Sequence, residues 1–257
     1  MPDLFIYLLI FIFGTVIGSF LNVCIWRIPR GESIARTPSH CAVCGARIKP
    51  YDLIPIISYI ILGGKCRDCK TKIFNRYPLV ELITGIGFVF LYYHFGASYY
   101  FVFYIALYSA LCALSFIDFE HRIIPDGIVL FLLTAGILFN ITRNIINFEP
   151  TVLISAVAGF FAASVPLCVM AAVTGGGMGG GDIKLMAVCG LFLGWKNIIL
   201  AMFIGVFIAC VVVAVEYILK IRGKEKTVVF GPFLSLGILI ALVYGDLMIN
   251  KYLEMVL

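Results

Sequence analysis

The segment 98–118, SYYFVFYIALYSALCALSFID, contains twenty consecutive uncharged residues, most of them apolar, and ends in an aspartate. An α-helix needs about 20 such residues to cross the hydrocarbon core of a bilayer. Seven other stretches are also apolar, although the sixth is short and only a brief break at 195–197 separates it from the seventh. The predicted spans are 4–25, 79–95, 98–117, 127–142, 151–173, 183–195, 197–219 and 228–249. The predicted fold class is therefore an all-α polytopic membrane protein with about eight transmembrane helices.

The composition excludes an ordinary soluble domain. Of the 257 residues, 62% are hydrophobic and only 13% are charged, whereas soluble domains carry about 25% charged residues. Lysine and arginine are concentrated in 26–77 and 220–227, and such loops are expected to face the cytoplasm. Alternation through eight spans then puts 16 of the 19 basic residues inside and both chain termini outside. Because this bias accounts for the net charge of +5, we expect the bilayer, and no nucleic acid, as a partner.

Four of the nine cysteines form two close pairs, Cys41-Ala-Val-Cys44 and Cys66-Arg-Asp-Cys69. Two CxxC pairs about twenty residues apart are typical of a tetrahedral zinc site with four thiolate ligands. Structural disulfides are rare in the cytosol, where the charge distribution puts this segment. The sequence therefore predicts Zn²⁺ bound by these four cysteines in a small cytosolic insertion. The predicted organisation is a first transmembrane helix (1–25), a zinc-binding loop domain (26–77) and a transmembrane core (78–257).

Two aspartates stand at the ends of apolar stretches, where an ionisable group is costly and points to function. Asp118 ends the third span, and Asp182 follows six glycines among residues 175–181 at the start of the sixth span. The predicted topology puts both at the cytoplasmic margin of the bilayer. Two close carboxylates share one proton, so one can activate water while the other polarises a carbonyl group. The alternative for Asp182 is a helix N-cap, and an N-cap is also the favoured interpretation of Asp126.

Five landmarks in order give the chain a resemblance to the prepilin leader peptidases, which are bacterial inner-membrane aspartic proteases. The tetrad GGGD also fits the GxGD pattern that these enzymes share with presenilin-like intramembrane proteases. The resemblance covers nearly the whole chain. The landmarks are 18–23 (GSFLNV) with 27–29 (RIP), the two CxxC pairs, 76–82 (RYPLVEL), 118–126 (DFEHRIIPD) and 179–182 (GGGD).

The resemblance implies an activity that the composition does not reveal. Such enzymes cut the basic leader from type IV prepilins and pseudopilins, after a glycine, at the cytoplasmic face of the bacterial inner membrane. Many then methylate the new N-terminal amine with S-adenosylmethionine. It implies that Asp118 and Asp182 are the catalytic pair of a transmembrane peptidase core, and that the four cysteines hold zinc. Glu81 is a candidate for cofactor binding, engaging the substrate amine or the cofactor's sulfonium, or else only a hydrogen-bonding partner within the helices.

Two alternatives from other classes of protein are considered. A transporter also uses paired intramembrane carboxylates and broken helices, but its site lies near the bilayer midplane, whereas these aspartates fall at the inner margin. A zinc-bearing assembly factor without catalysis leaves the glycine-rich stretch and both carboxylates unexplained. The peptidase interpretation is therefore preferred.

Overall fold

The computed structural model describes residues 2–36, 38–148, 150–175, 179–219 and 228–256. The middle of the glycine-rich stretch, 176–178, and the basic loop 220–227 lie outside the described residues. The chain forms two compact units, Met1–Ala113 and Leu114–Leu257. This division falls inside a helix and differs from the predicted boundaries after residues 25 and 77, which stay a prediction.

The described part of the chain is helical, with only two isolated β-bridges. Among the described residues, seven helices are long and apolar enough to cross a bilayer, which confirms the predicted fold class. The short α2 lies in the insertion between the first two long helices. The helices are α1 (Pro2–Arg27), α2 (Ile57–Ile61), α3 (Arg76–Phe95), α4 (Tyr99–His121), α5 (Asp126–Asn147), α6 (Pro150–Val173), α7 (Gly180–Ile218) and α8 (Gly231–Val256).

Helix α7 joins the two stretches that were predicted as the sixth and seventh spans. Its 39 residues would extend about 58 Å as a straight helix, roughly twice the hydrocarbon thickness of a bilayer. Gly194 interrupts it with φ 73° and ψ 174°, one residue before the predicted break at 195–197. The left-handed φ suits glycine because it has no Cβ. The break is therefore real, although the helical hydrogen bonding resumes directly after it.

In the first unit, α1 packs against α3 at two glycines spaced four residues apart. A Cβ added to Gly14 would lie 2.8 Å from the Cα of Gly85, and one added to Gly18 would lie 2.7 Å from the Cα of Glu81. Small residues at this spacing let two membrane helices approach closely. The packing brings the backbone of α1 against the α3 turn that carries Glu81.

In the second unit, α7 contacts α5, α6 and α8. Gly159 of α6 meets Gly190 and Gly194 of α7, and Gly205 of α7 meets the backbone of α8 at Leu234. The Asn140 side chain of α5 donates a hydrogen bond of 2.8 Å to the carbonyl of Leu191 in α7. These contacts hold the middle of α7, on both sides of the break at Gly194, against its neighbours.

Candidate active site and metal centre

Asp118 lies in the last turns of α4, where it is held by the first residue of α8. Its side chain is buried, with 8% exposed. The backbone N–H of Gly231 donates a hydrogen bond of 2.9 Å to Oδ2 of Asp118. The start of a helix carries free N–H groups and a partial positive charge, both of which favour a nearby carboxylate. Helix α8 therefore orients the first predicted catalytic residue.

Asp182 lies in the first turn of α7, half-buried, and its carboxylate is close enough to Asp118 for the two to interact electrostatically. The structure thus brings together the two aspartates that the sequence singled out, although they are 64 positions apart in the chain. Gly179, not Asp182, is the N-cap of α7, and no side-chain capping bond is made there. The geometry supports a carboxylate pair rather than a cap.

The turn between α4 and α5 is fastened to the start of α7 at two points. The side chain of Ile124 lies against Gly181, where an added Cβ would be 2.8 Å away. Lys184 donates to Oδ1 of Asp126 at 2.7 Å in an exposed ion pair. Pro125 is the N-cap of α5, so the capping interpretation of Asp126 was wrong. Asp126 therefore pairs with Lys184 of α7 and is not the N-cap that the sequence favoured.

Gly231 is the residue of this site that sequence reasoning missed, because no chemistry was predicted for the eighth span. A Cβ at this position would lie 2.6 Å from Oδ2 of Asp118. The available signal was the pair Gly231-Pro232 at the start of an apolar stretch. Proline at the first helical positions marks a helix start. It does not reveal which carboxylate that helix start faces.

The four cysteines of the two CxxC pairs converge as predicted. Their sulphur atoms all lie within 4.8 Å of one another, and Sγ of Cys41 is 3.8 Å from Sγ of Cys69. Thiolates bound about 2.3 Å from a tetrahedral zinc ion are separated by roughly 3.8 Å. A disulfide needs about 2.05 Å. The donor set and its spacing therefore fit a metal ion, and this cluster is the candidate metal centre.

The two pairs have matching backbone geometry. The N–H of Cys41 donates to the carbonyl of Ala46 at 2.9 Å, and that of Cys66 donates to the carbonyl of Thr71 at 2.9 Å. Each pair is followed by a residue with left-handed backbone, Gly45 (φ 71°) and Lys70 (φ 59°). The metal centre is thus built from two similar turns, the second of which uses a non-glycine residue where glycine is favoured.

Hydrogen bonding in these turns favours the thiolate form of two of the four cysteines. Hydrogen bonding with the Thr71 side chain and then with its backbone lowers the pKa of Cys69 to about 6. The N–H groups of Cys44 and Val43 lower the pKa of Cys41. The thiolate, not the thiol, is the metal ligand. Both effects favour the form of Cys41 and Cys69 that binds a cation, whereas burial and the neighbouring thiols raise the pKa of Cys44 to about 11.

Glu81, the third predicted site residue, lies in α3 with 8% of its surface exposed. Its Oε2 accepts a hydrogen bond of 2.7 Å from the backbone N–H of Ile56. Glu81 lines a cavity of about 400 Å³ in the first unit. Neither Asp118 nor Asp182 lines that cavity, so Glu81 belongs to a separate set of residues.

Comparison with known proteins gives the family. Residues 12–95 match the bacterial peptidase A24 N-terminal domain, and residues 105–215 match the type IV leader peptidase family. A prepilin leader peptidase/N-methyltransferase of Pseudomonas aeruginosa is 33% identical, over 94% of this chain and 91% of that protein. Proteins of the same description from Bacillus subtilis (34% identity, 97% and 98% covered) and Neisseria gonorrhoeae (33%, 88% and 86%) are also similar. No solved structure matches.

The chain belongs to the type IV leader peptidase family. This confirms the resemblance drawn from the five sequence landmarks. It also favours the peptidase interpretation over the transporter and the assembly factor.

Proposed function

We propose that this protein removes the leader peptide of type IV prepilins or pseudopilins, cutting after a glycine, and then methylates the new N-terminal amine. The observation that carries the proposal is the contact of Ile124, in the turn after Asp118, with Gly181, the residue before Asp182. This contact brings the end of α4 and the start of α7 together. The names of the relatives support both activities. The site would face the cytoplasm, in a bacterial inner membrane, with both chain termini on the other side.

The carboxylate pair supplies the chemistry of hydrolysis. The ionised member takes a proton from a water molecule, whose oxygen attacks the carbonyl carbon of the glycine at the cleavage site. The protonated member donates to the carbonyl oxygen, and the C–N bond then breaks as the leaving nitrogen gains a proton. Because the two groups exchange one proton, their titrations belong to the pair. The N–H of Gly231 holds Asp118 in place throughout.

Two bound groups complete the proposal. S-adenosylmethionine, when bound, supplies an electrophilic methyl group for the new N-terminal amine. Zinc at Cys41, Cys44, Cys66 and Cys69 would hold together the segment between α1 and α3, since four-thiolate zinc sites are usually structural. The observed sulphur spacing supports this role.

A peptide assay tests the proposed function directly. A synthetic prepilin peptide is incubated with the purified protein and S-adenosylmethionine, and the masses of the products are measured by mass spectrometry. We expect a product shortened at the glycine and one methyl group heavier than cleavage alone predicts. An intact peptide, with the protein folded, would refute the peptidase; a shortened product without the methyl group would refute the methyltransferase.

Gly231→Ala is expected to lower the cleavage rate by about 10- to 100-fold. The added Cβ would stand 2.6 Å from Oδ2 of Asp118, so either the carboxylate or the start of α8 must shift. A displacement of about 1 Å in a catalytic group costs on the order of 10²-fold in rate. Gly127→Ala is the matched control, because a Cβ at that helix start meets no atom within 4 Å. Equal rates in the two variants would remove Gly231 from the site.

A further inference from the structure

The insertion between α1 and α3 contains an apolar segment that serves neither the carboxylate pair nor the metal centre. Residues 53–64, LIPIISYIILGG, carry no charged side chain and include α2. An apolar run of about 10–14 residues is too short to cross a bilayer and is typical of a buried core helix or of an interfacial segment. The exposure of its side chains distinguishes these two cases.

The apolar side chains of this segment are exposed. Those of α2 follow the three- and four-residue spacing that puts them on one face of a helix. Ser58, which lies off this face, is buried and donates to the carbonyl of Tyr51 at 2.9 Å. The described residues leave the apolar face uncovered, so α2 is not a core helix. The exposed fractions are 42% (Leu53), 47% (Ile54), 55% (Ile57), 70% (Ile60) and 74% (Ile61).

The segment lies beside the membrane-spanning helices and not beyond their ends. The backbone N–H of Ile56 donates to Oε2 of Glu81 at 2.7 Å, and Glu81 lies about 7.5 Å inside α3 at a rise of about 1.5 Å per residue. Ile54 and Ile56 line the same cavity as Ser19, which lies about 12 Å before the end of α1 at the same rise. The chain between α1 and α3 therefore turns back toward the bilayer before α2 begins.

The backbone of this segment makes the internal hydrogen bonds that the edge of a bilayer requires. The N–H groups of residues 60 and 62–64 donate to carbonyls within 56–60 at 2.9–3.1 Å. The hydroxyl of Tyr59 donates to Oδ1 of Asn75 at 2.9 Å. Polar groups left unpaired in lipid are costly, because no water is present to bind them. The segment can therefore present its apolar face to lipid.

Basic residues flank the uncharged segment on both sides. The flanks 47–52 and 65–72 hold six lysines and arginines against two aspartates, and one of these, Asp52, is already paired with Arg67. Basic side chains beside an interfacial apolar face attract the headgroups of anionic phospholipids. This pattern favours an anionic bilayer over an uncharged protein groove as the occupant. The six are Arg47, Lys49, Lys65, Arg67, Lys70 and Lys72.

We propose that residues 53–62 form a docking surface that anchors the insertion on the anionic phospholipid bilayer crossed by α1 and α3. The apolar face of α2 enters the boundary between the headgroups and the acyl chains, and the flanking basic residues bind lipid phosphate groups. The predicted zinc-binding loop domain is then a peripheral membrane element and not a free domain in the cytosol. This inference is independent of the proposed cleavage and methylation.

Photolabelling of the full-length wild-type protein in vesicles tests the docking surface. The vesicles contain phosphatidylcholine, phosphatidylglycerol and a trace of phosphatidylcholine with a diazirine on one acyl chain. After illumination, lipid adducts are quantified by mass spectrometry of tryptic peptides. We expect adducts in 48–65, because an interfacial helix buries its apolar face about 5–10 Å into the boundary between headgroups and acyl chains. The peptide 31–36 should remain unlabelled, although its Ile34 is 42% exposed.

Two comparisons test the apolar face and the basic residues separately. The double replacement Ile60→Ser and Ile61→Ser should lower the label in 48–65 by about 3-fold or more, because labelling follows the depth of the apolar face. Ile34→Ser is the matched control and should leave that label unchanged. Vesicles without phosphatidylglycerol should give about 2-fold less label in wild-type protein, because the basic residues lose their anionic partners.

Label in 48–65 no higher than in 31–36, with α1 labelled, would overturn the proposal. A water-soluble carbene would then label 48–65 instead, and the face of α2 would be left for a protein partner. Equal label in wild type and in the double serine variant would exclude the isoleucines as the anchor. Equal label in the two kinds of vesicle would refute the role of the basic residues. If the double variant does not fold, the comparison of the two wild-type peptides decides the matter alone.

Discussion

Replacement of either Asp118 or Asp182 by asparagine is expected to lower the rate of leader cleavage by about 10³-fold. General acid–base groups contribute about 10²- to 10⁴-fold each, and asparagine can neither accept a proton from water nor donate one to the carbonyl oxygen. The shape of the site is kept, because asparagine has the size of aspartate and its amide oxygen can still accept from the N–H of Gly231. The measurement is the initial rate of peptide cleavage by each variant.

The control for this experiment is Asp126→Asn, which changes an aspartate at the start of the next helix. It removes only the exposed ion pair with Lys184, a type of interaction that contributes about 0–1 kcal/mol to stability. Cleavage should therefore stay within about 2-fold of wild type. Substantial cleavage by Asp118→Asn or Asp182→Asn would remove that residue from the catalytic pair.

Replacement of Cys41 by serine is expected to abolish stoichiometric metal binding and to unfold the segment around the two CxxC turns. Zinc contributes about 10–16 kcal/mol to the folding of small four-ligand sites, and the described backbone of this segment has little other regular structure. The checks are metal content by plasma mass spectrometry and limited proteolysis between α1 and α3. Wild-type protein should contain one zinc per chain and resist cleavage there.

Cys168→Ser is the matched control, because Cys168 is an exposed single cysteine of α6. It should keep the metal and the protease resistance of wild type. Wild-type protein purified without any bound metal, yet equally resistant to proteolysis, would contradict the zinc assignment.

Local patterns were sufficient for much of the fold and for part of the site. The apolar stretch 98–117 became α4 (Tyr99–His121), and the predicted break near Trp195 appears at Gly194. Helix length and charge depletion are set by the bilayer and can be read within one segment. The cysteine pairs were predictable for a similar reason, since CxxC spacing itself sets the geometry of two ligands.

The rest of the site depends on contacts between distant parts of the chain. Gly231 and Asp118 are 113 positions apart, so neither segment alone reveals that the start of α8 holds the carboxylate. Asp126 was misread because a helix-start position favours a cap, whereas its partner Lys184 lies 58 positions away. The hydrogen bond from Ile56 to Glu81 could not be predicted either, because Ile56 donates through its backbone N–H. Its apolar side chain does not indicate this role.

Ile56 lines the same cavity as Glu81, and so do Cys41 and Cys66 of the candidate metal centre. It lies between the two CxxC turns, with φ 61° and ψ −52°, and a β-branched residue rarely adopts a positive φ. A metal bound by the four cysteines would close the loop from Cys44 to Cys66 at its base, and it would limit how far the Ile56 amide can move from Glu81. Without a metal to close the loop, Ile56 could relax to a negative φ, and Glu81 would lose the hydrogen bond from the Ile56 N–H. Loss of a metal from the four cysteines would then alter the shape of the cavity wall around Glu81.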